Sequence, residues 1–194
     1  MDRREDIIEA AVHLFHTRGY SNTSMQNIAD AVGLLKGSLY YYISSKEDLL
    51  YEIHQRFMNV LVAKTASREA HAALPARERL EGVITDLVYL IRDYRAYVEV
   101  FFRERYAMQG PRWETIHEIR EQYEALVRSI VRQGQEEGAF RPGLDAQIVT
   151  FGLFGMCNWT YQWMNPDGRL GTAELAKIFC GLLLDGLAIP ESHP

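Results

Sequence analysis

Apolar residues recur every three or four positions along most of the chain, which is the spacing of amphipathic helices. The first such series covers residues 7–15 and stops before Gly19. A shorter series covers residues 25–32 and stops at Gly33, a residue type that enters the left-handed conformation of a sharp turn without steric penalty. A third, very short helix is predicted at residues 36–43. The pattern therefore predicts three helices in close succession near the amino-terminal end.

Polar residues stand where these helices begin. Thr23 and Gln26 have the spacing of a capping box, and so have Ser45 and Asp48 at the start of the following helix. The short helix carries the hydroxyl groups of Ser38, Tyr40, Tyr41 and Tyr42. Such groups suit phosphate oxygens and base edges in a DNA major groove, although tyrosines are also common as half-buried packing residues. A capped helix, a glycine turn and a short polar helix within this length indicate a helix-turn-helix.

The rest of the chain shows only longer helical patterns. Breaks are predicted at residues 72–75, at Gly110 and at the loop 138–143. The helices between and beyond these breaks are predicted at residues 45–61, 80–94, 96–108, 113–131, 145–164 and 172–187, with Asp145 and Thr172 as caps of the last two. We therefore predict an all-α fold. It comprises a three-helix helix-turn-helix domain at residues 1–46 and a larger helical bundle at residues 47–194.

Charge changes this picture, because the predicted DNA-binding unit is not basic. The chain has 194 residues, a hydrophobic fraction of 47% and a formal net charge of -5. Within residues 1–50, the cations Arg3, Arg4, Arg18, Lys36 and Lys46 face a larger set of carboxylates, namely Asp2, Glu5, Asp6, Glu9, Asp30, Glu47 and Asp48. Few phosphates would be neutralised, so DNA binding would show a shallow salt dependence and would rely on hydrogen bonds and two half-sites.

Cysteine use and the chain ends point to a reducing compartment. Cys157 and Cys180 lie in apolar helical stretches, where thiols usually behave as small hydrophobic residues, and no disulfide framework is implied. The charged start of the chain lacks the apolar core of a signal peptide, and the longest apolar run, residues 148–157, is too short to cross a bilayer. We expect a cytoplasmic protein with no membrane contact.

The motif residues resemble a known family. Residues 7–50 resemble the DNA-binding domain of TetR-type transcriptional regulators, with the short helix matching the family's recognition helix. The resemblance implies phosphate or groove contacts from Thr23, Ser24, Lys36, Gly37, Ser38, Tyr40, Tyr41, Tyr42 and Lys46. The chain departs from the family at Leu35, where a small polar residue is usual, and at Ile43, where phenylalanine is usual. The departure at Leu35 would affect which base the protein recognises.

The last two long helices are more apolar than one internal core requires, and they contain several glycines. We therefore predict a homodimer whose two-fold axis places two recognition helices about 34–36 Å apart, one turn of DNA. The predicted interface residues are Trp163, Leu175, Phe179, Leu182, Leu183 and Gly186. The alternative is that these helices only pack inside the protomer.

Aromatic residues are dense in the larger bundle, which favours either a tightly packed core or a largely apolar ligand pocket. The predicted ligand-binding residues are Phe101, Phe102, Trp113, Tyr123, Phe154, Asn158, Trp159 and Gln162. The segment from Asn158 to Gly168 resembles an Asn-Trp, Trp and Pro-Asp-Gly signature of TetR-type regulators of fatty-acid and steroid-ring degradation. That resemblance implies an acyl-coenzyme A thioester as effector, which would bind to a repressor and release it from a palindromic double-stranded DNA operator.

Two alternative functions come from other classes. Glu114 and His117 have the Glu-x-x-His spacing of di-iron carboxylate bundles, but a second such motif is missing. The sequence also lacks an HExxH motif, a phosphate loop and a credible catalytic triad, so neither enzymatic activity nor a cofactor is expected. The other alternative is a constitutive DNA-binding protein without a ligand, in which the aromatic residues would be structural.

Overall fold

The computed structural model describes residues 3–71, 73–165 and 168–188. Its helices are α1 (Arg3–Arg18), α2 (Met25–Ala31), α3 (Lys36–Tyr42), α4 (Lys46–Ala70), α5 (Ala76–Asp93), α6 (Arg95–Arg103), α7 (Pro111–Glu136), α8 (Ala146–Asn158), α9 (Thr160–Trp163) and α10 (Thr172–Cys180). A 3₁₀ turn follows α6, and a π-helical segment, Gly181–Asp185, follows α10. Among the described residues, β-type pairing is limited to an isolated bridge between Phe140 and Ala188. The predicted all-α fold is confirmed.

The chain divides into two compact units. The first contains residues 1–59 and 94–118, and the second contains residues 60–93 and 119–194. The three amino-terminal helices therefore share their unit with α6 and with the first part of α4. The domain boundary after residue 46 stays a prediction.

The start of α2 differs from the expected capping box. Ser24, rather than Thr23, is the cap: its hydroxyl accepts from the backbone amide of Asn27 at 3.1 Å, while the Asn27 side chain accepts from the Ser24 amide at 2.9 Å. The Thr23 hydroxyl instead donates to the carbonyls of Gly19, at 2.9 Å, and Leu14, at 3.3 Å. The cap assigned to Thr23 was wrong because these two carbonyls hold its hydroxyl inside the unit.

The turn and the two following helix starts agree with the prediction. Gly33 has a φ of +65°, in the left-handed region that glycine enters most readily. Leu39 fixes α3 by burying its side chain completely. At the start of α4, the Ser45 hydroxyl accepts from the Asp48 amide at 3.0 Å and donates to the Asp48 carboxylate at 2.8 Å, which caps the helix.

Within the first unit, α6 is tied to α1 by side-chain hydrogen bonds. The Arg103 guanidinium donates to the carbonyls of Phe15, at 2.6 Å, and His16, at 2.9 Å. The His16 Nε2 lies 2.9 Å from the Glu99 carboxylate. The carbonyls of Phe15 and His16 belong to the last turn of α1, where a cation compensates for acceptors that have no partner in the helix.

In the second unit, α5 packs against α8, α9 and α10. Arg79 of α5 is fully buried, yet its guanidinium donates to the carbonyls of Leu74 and Glu69 at 3.1 and 3.2 Å, and to the Glu137 carboxylate at 3.4 Å. A buried charge is tolerated only when its hydrogen bonds are satisfied, and this arginine meets that condition on three sides. It thereby fixes the end of α4 and the end of α7 to the start of α5.

Several predicted helix boundaries were wrong. The fifth helix begins at Ala76 rather than at residue 80, and the sixth ends at Arg103 rather than at residue 108. The helix predicted at residues 145–164 is interrupted after Asn158. Thr172 is the first residue of α10 and not its cap, because Gly171 occupies the capping position and supplies no side-chain bond.

Asp145 caps α8 as predicted, accepting from the amides of Gln147 and Ile148 at 2.7 and 3.3 Å. The Pro-Asp-Gly part of the signature, at residues 166–168, and the predicted break at residues 72–75 fall partly outside the described residues. Over the described ranges, none of the helices has the length and hydropathy that crossing a membrane requires.

Candidate functional site

The outer face of α3 carries most of the residues expected to meet DNA. Lys36, Gly37, Ser38 and Tyr40 are exposed, and 87% of Tyr41 is accessible to solvent. The Tyr42 ring is half-buried and packs edge-on against Tyr41 with ring centroids 5.2 Å apart. Because buried Leu39 anchors the opposite face, α3 presents its hydroxyl groups and its lysine together on one surface.

Two residues expected to contact DNA are engaged inside the first unit. The Thr23 side chain is 1% exposed and donates to backbone carbonyls, which argues against a phosphate contact from that hydroxyl. Lys46 Nζ donates to the Tyr20 carbonyl at 2.8 Å and lies 4.2 Å from the centre of the Tyr20 ring. Burial lowers the pKa of Lys46, against the opposing effect of the Glu104 carboxylate. Ser24 remains exposed at the start of α2.

The charges near the end of α3 are paired. Arg4 donates to the Tyr42 carbonyl at 2.7 Å and forms an ion pair with Glu52, also at 2.7 Å. Arg56 pairs with Glu52 and Glu5, and Arg112 pairs with Asp48 and Glu47. These three arginines border an open, polar groove of about 530 Å³ that also contains Ser44 and Tyr51. Because each arginine faces a carboxylate, the groove provides no strong positive field for DNA.

The residues expected to bind a ligand fall in both units. Phe101, Phe102 and Trp113 belong to the first unit, where the Phe101 and Phe102 rings meet edge-on at 5.3 Å. Phe101 also lies 4.8 Å from the ring of His54 and 5.7 Å from that of Phe57. The structure therefore brings part of the predicted set into an aromatic cluster around α6.

The other ligand candidates lie in the second unit. Tyr123 and Phe154 stack at 4.8 Å with an interplanar angle of 17°. Burial raises the pKa of the Tyr123 hydroxyl well above its usual value. Trp159, in contrast, is 60% exposed. Asn158 is half-buried and Gln162 is exposed, so the predicted residues of this unit include both packed and surface side chains.

Two predicted interface residues face the protomer's own interior. Leu175 and Phe179 are buried against the second unit, because the α10 stripe packs on α5. Trp163 and Leu182 are more than half exposed, Gly186 is exposed and Leu183 is half-buried. Burial within the protomer argues against an interface role for Leu175 and Phe179, and the predicted set of interface residues stays a prediction.

We use the name α8/α10 face for the exposed large apolar side chains of α8 and α10 and of the residues that directly follow each helix. Its large members are Ile148, Phe151, Trp159, Ile178 and Leu182. Gly152 and Gly155 lie between the α8 members, and a Cβ atom on either glycine would meet no protein atom within 4 Å. Sequence periodicity indicated an apolar stripe on these helices but did not show which side of it was open.

The side chains that could bind a metal ion are dispersed. Within the described residues, histidine, cysteine, aspartate and glutamate form no cluster of three or more with metal-binding geometry. Glu114 and His117 lie on α7 without a second such pair beside them. Cys157 and Cys180 are both buried, and burial raises the pKa of the Cys157 thiol to about 12, so this thiol is poorly suited to nucleophilic chemistry.

One buried polar residue was missed by the sequence analysis. His54 of α4 is fully buried: Nδ1 lies 2.9 Å from the Leu50 carbonyl, while Nε2 has no hydrogen-bond partner among the described residues. Its position four residues after Leu50 and three before Phe57 placed it on the apolar face of α4. This helical spacing is the sequence signal that could have identified His54 as a buried residue.

Comparison with known proteins agrees with this arrangement. Residues 7–53 match the model of bacterial regulatory proteins of the TetR family, and residues 73–187 match a tetracycline repressor-like carboxy-terminal domain. The HTH-type transcriptional repressor KstR2 of Mycobacterium tuberculosis strain H37Rv is 31% identical over 188 residues, covering 95% of this chain and 92% of the relative.

Solved structures show the same relationship over nearly the whole chain. The ketosteroid transcriptional regulator KstR2 of M. tuberculosis superposes with a TM-score of 0.88 at 28% identity, covering 97% of this chain and 96% of the other. AibR in complex with isovaleryl coenzyme A and operator DNA has a TM-score of 0.85 at 30% identity, with 94% and 98% covered. The two family models cover both parts of the sequence, and the solved structures match nearly the whole fold. The chain therefore belongs to the TetR family of bacterial regulatory proteins.

Proposed function

We propose that this chain is a ligand-responsive transcriptional repressor. It binds a palindromic operator as a homodimer and leaves the operator when a small apolar effector binds. The observation that carries this proposal is the exposed face of α3, where Lys36, Ser38, Tyr40 and Tyr41 stand together on a helix anchored by Leu39. In a helix-turn-helix, the first residues of the second helix meet base edges and nearby hydroxyl groups meet phosphates.

The α8/α10 face supports a homodimer. Isolated exposed apolar residues are common, but here several large ones recur at helical spacing on α8 and α10. Two glycines between the α8 members would let another helix approach closely. In a two-fold dimer both subunits use the same surface, so dimerisation would bury one copy of it on each subunit. Trp163 and Leu182, which were predicted as interface residues, are exposed and available for that role.

An acyl-coenzyme A thioester of lipid or steroid catabolism is the proposed effector. AibR is described in complex with isovaleryl coenzyme A and operator DNA, and KstR2 is described as a ketosteroid regulator. Aromatic side chains would provide the apolar wall that an acyl chain or steroid ring requires. The candidates form two separate groups: Phe101, Phe102 and Trp113 in the first unit, and Tyr123, Phe154 and Trp159, with Asn158 and Gln162 as polar residues, in the second.

The effector would act by binding more tightly to a conformation whose two recognition helices do not match the operator. Only this difference in affinity between two conformations can shift the equilibrium. A coupling free energy of about 1–3 kcal/mol would weaken DNA binding roughly 5- to 150-fold. The same coupling requires that operator DNA weaken effector binding by an equal factor.

A gel-shift titration tests both parts of this proposal. The probes are the DNA upstream of the protein's own gene and a scrambled duplex of equal length, each with and without acetyl-, isovaleryl-, octanoyl- and steroid-derived acyl-coenzyme A. Free coenzyme A and the free carboxylic acids are controls for the thioester. We expect palindrome-dependent binding that at least one thioester reverses. Failure to bind any palindrome would refute the regulator, whereas binding indifferent to every thioester would refute only the effector.

A further inference from the structure

Leu35 is a large apolar side chain placed directly before α3. Its backbone is extended, with φ of −69° and ψ of 143°, and it occupies the capping position without forming a side-chain hydrogen bond. Its side chain is 80% exposed. Among the large apolar side chains that the structure describes, only Tyr41 is more exposed.

Three other helices of this chain begin with a polar cap, whereas Tyr94 and Gly171 precede α6 and α10 without a side-chain capping bond. Ser24, Ser45 and Asp145 all accept amide hydrogen bonds at the starts of α2, α4 and α8. Leucine is a poor residue at such a position because it leaves the first amides of the helix without a side-chain partner. At Leu35 the protein forms no side-chain capping bond and exposes most of a large apolar side chain to water.

Leu35 directly precedes the exposed residues of α3. Lys36, Gly37 and Ser38 lie on the outer face of α3, and Leu39 faces inward. In a helix-turn-helix complex, the start of the second helix enters the major groove. The base edges in that groove present hydrogen-bond donors and acceptors, with one apolar group among them, the C5-methyl of thymine.

We infer that Leu35 reads the C5-methyl group of a thymine in each operator half-site. This inference rests on the proposed function, because it requires that α3 bind DNA. Contact with the methyl would remove both apolar surfaces from water, which gives the exposed leucine a partner of matching chemistry. Lys36 and Ser38 would supply polar contacts beside it, so Leu35 would determine specificity at one base pair rather than general DNA affinity.

The test uses a duplex selected by the wild-type protein from a random DNA library. Each thymine is replaced in turn by uracil, which removes the C5-methyl and leaves the base-pairing groups unchanged. Wild-type protein should lose about fourfold in affinity at one thymine of each half-site, the value for removing one buried methyl-sized group from an apolar contact. Fluorescence anisotropy at constant salt provides the affinities.

The matched variant is Leu35→Ser. It introduces a side-chain cap at the start of α3 and should therefore be at least as stable as the wild-type protein. It should bind the thymine and uracil duplexes equally at that position and should respond like wild type at every other thymine. Leu74→Ser removes an exposed leucine outside α3 and should retain the wild-type pattern.

Equal responses of wild type and Leu35→Ser to uracil at every thymine would overturn the inference, and so would a selected site without thymine. Either result would leave operator binding intact. The absence of any selected duplex would instead refute the proposed function.

Discussion

At the scale of single residues, His54 shows how burial controls a titratable group. The imidazole packs on Phe101, and burial lowers its pKa to about 4, against opposing effects of the Leu50 and Phe101 backbone and the Glu104 carboxylate. One ring nitrogen has a carbonyl neighbour and the other has no hydrogen-bond partner within the described part of the chain. The neutral ring fits this environment, whereas an imidazolium would bring an unpaired charge into an apolar cluster.

The His54 pKa predicts an acid-sensitive fold. Because the pKa is near 6.5 in the unfolded chain and about 4 in the folded one, the unfolded state binds the proton first as pH falls. The His54 contribution is constant above pH 6.5, and the free energy of unfolding then falls by up to about 3 kcal/mol between pH 6.5 and 4. Urea unfolding at several pH values measures this decrease.

The control variants separate His54 from other groups that titrate in this range. His54→Leu should show a smaller decrease in stability with falling pH than wild type, because it removes the proton-binding site. His13→Leu removes an exposed imidazole from α1 and controls for the loss of a histidine as such. If His54→Leu and wild type lost stability in parallel, His54 would not be the source.

Tyr41 provides a residue-scale test of the DNA-binding face. Its side chain is almost entirely exposed, so removing the hydroxyl should leave the fold unchanged. Tyr41→Phe should weaken operator binding roughly 10- to 150-fold, which corresponds to the loss of one hydrogen bond to a charged phosphate. Anisotropy titrations would measure the effect, with Tyr89→Phe in the second unit as control. Unchanged affinity would refute the phosphate contact.

At the scale of helices, a glycine in α7 determines how the following loop packs. A Cβ atom on Gly134 would lie 2.2 Å from the ring of Phe140, which is buried. The Gly134 carbonyl also accepts from the amides of Ala139 and Phe140, each at 2.9 Å. The chain therefore turns back tightly over α7, and glycine is the residue that permits this close approach.

Gly134→Ala should therefore destabilise the protein, although alanine is the better helix former. Displacing Phe140 should cost about 1–3 kcal/mol, which is at least as large as the gain of at most about 1 kcal/mol in helix propensity. Gly37→Ala is the matched control, since a Cβ there would meet no protein atom within 4 Å. Urea unfolding should show lower stability for the first variant only. Equal or increased stability of Gly134→Ala would contradict the proposed packing.

The helices also show what sequence patterns could and could not predict. Asp145 and Ser45 were predicted as caps because their residue type and spacing sufficed, and both were confirmed. Thr23 had the same chemistry, but carbonyls from its own unit hold its hydroxyl inward. A local rule gives the residue type of a cap, whereas the direction of a side chain depends on tertiary neighbours that are distant in sequence.

The candidate sites follow the same division. The short helix was predicted to carry hydroxyl groups for DNA, and in the structure Ser38, Tyr40 and Tyr41 are exposed. Leu175 and Phe179 were predicted as interface residues but are buried in the protomer, where α10 packs on α5, because an apolar stripe does not state whether its partner is α5 or a second subunit. Periodicity specifies which residues share a helix face, and only packing specifies what covers that face.

At the scale of the whole molecule, the proposed dimer connects the α8/α10 face with DNA binding. Two half-sites bound by one rigid dimer gain affinity because the second contact becomes intramolecular. This matters for a chain whose net charge is −5 and whose arginines beside α3 are paired with carboxylates. Weak electrostatic attraction to DNA makes the affinity depend strongly on subunit pairing.

Leu182→Glu tests this connection. Leu182 is 66% exposed in the protomer, so the variant should fold normally. In a two-fold interface the new carboxylate would be desolvated and would lie near its symmetry-related copy, which should weaken self-association at least tenfold. Operator affinity should fall in parallel, because a monomer contacts a single half-site. Leu74→Glu adds the same charge at an exposed leucine outside this face and should retain both properties. Sedimentation velocity would measure self-association, circular dichroism would measure folding, and fluorescence anisotropy would measure DNA binding. A Leu182→Glu protein that dimerised like wild type would disprove this role of the α8/α10 face.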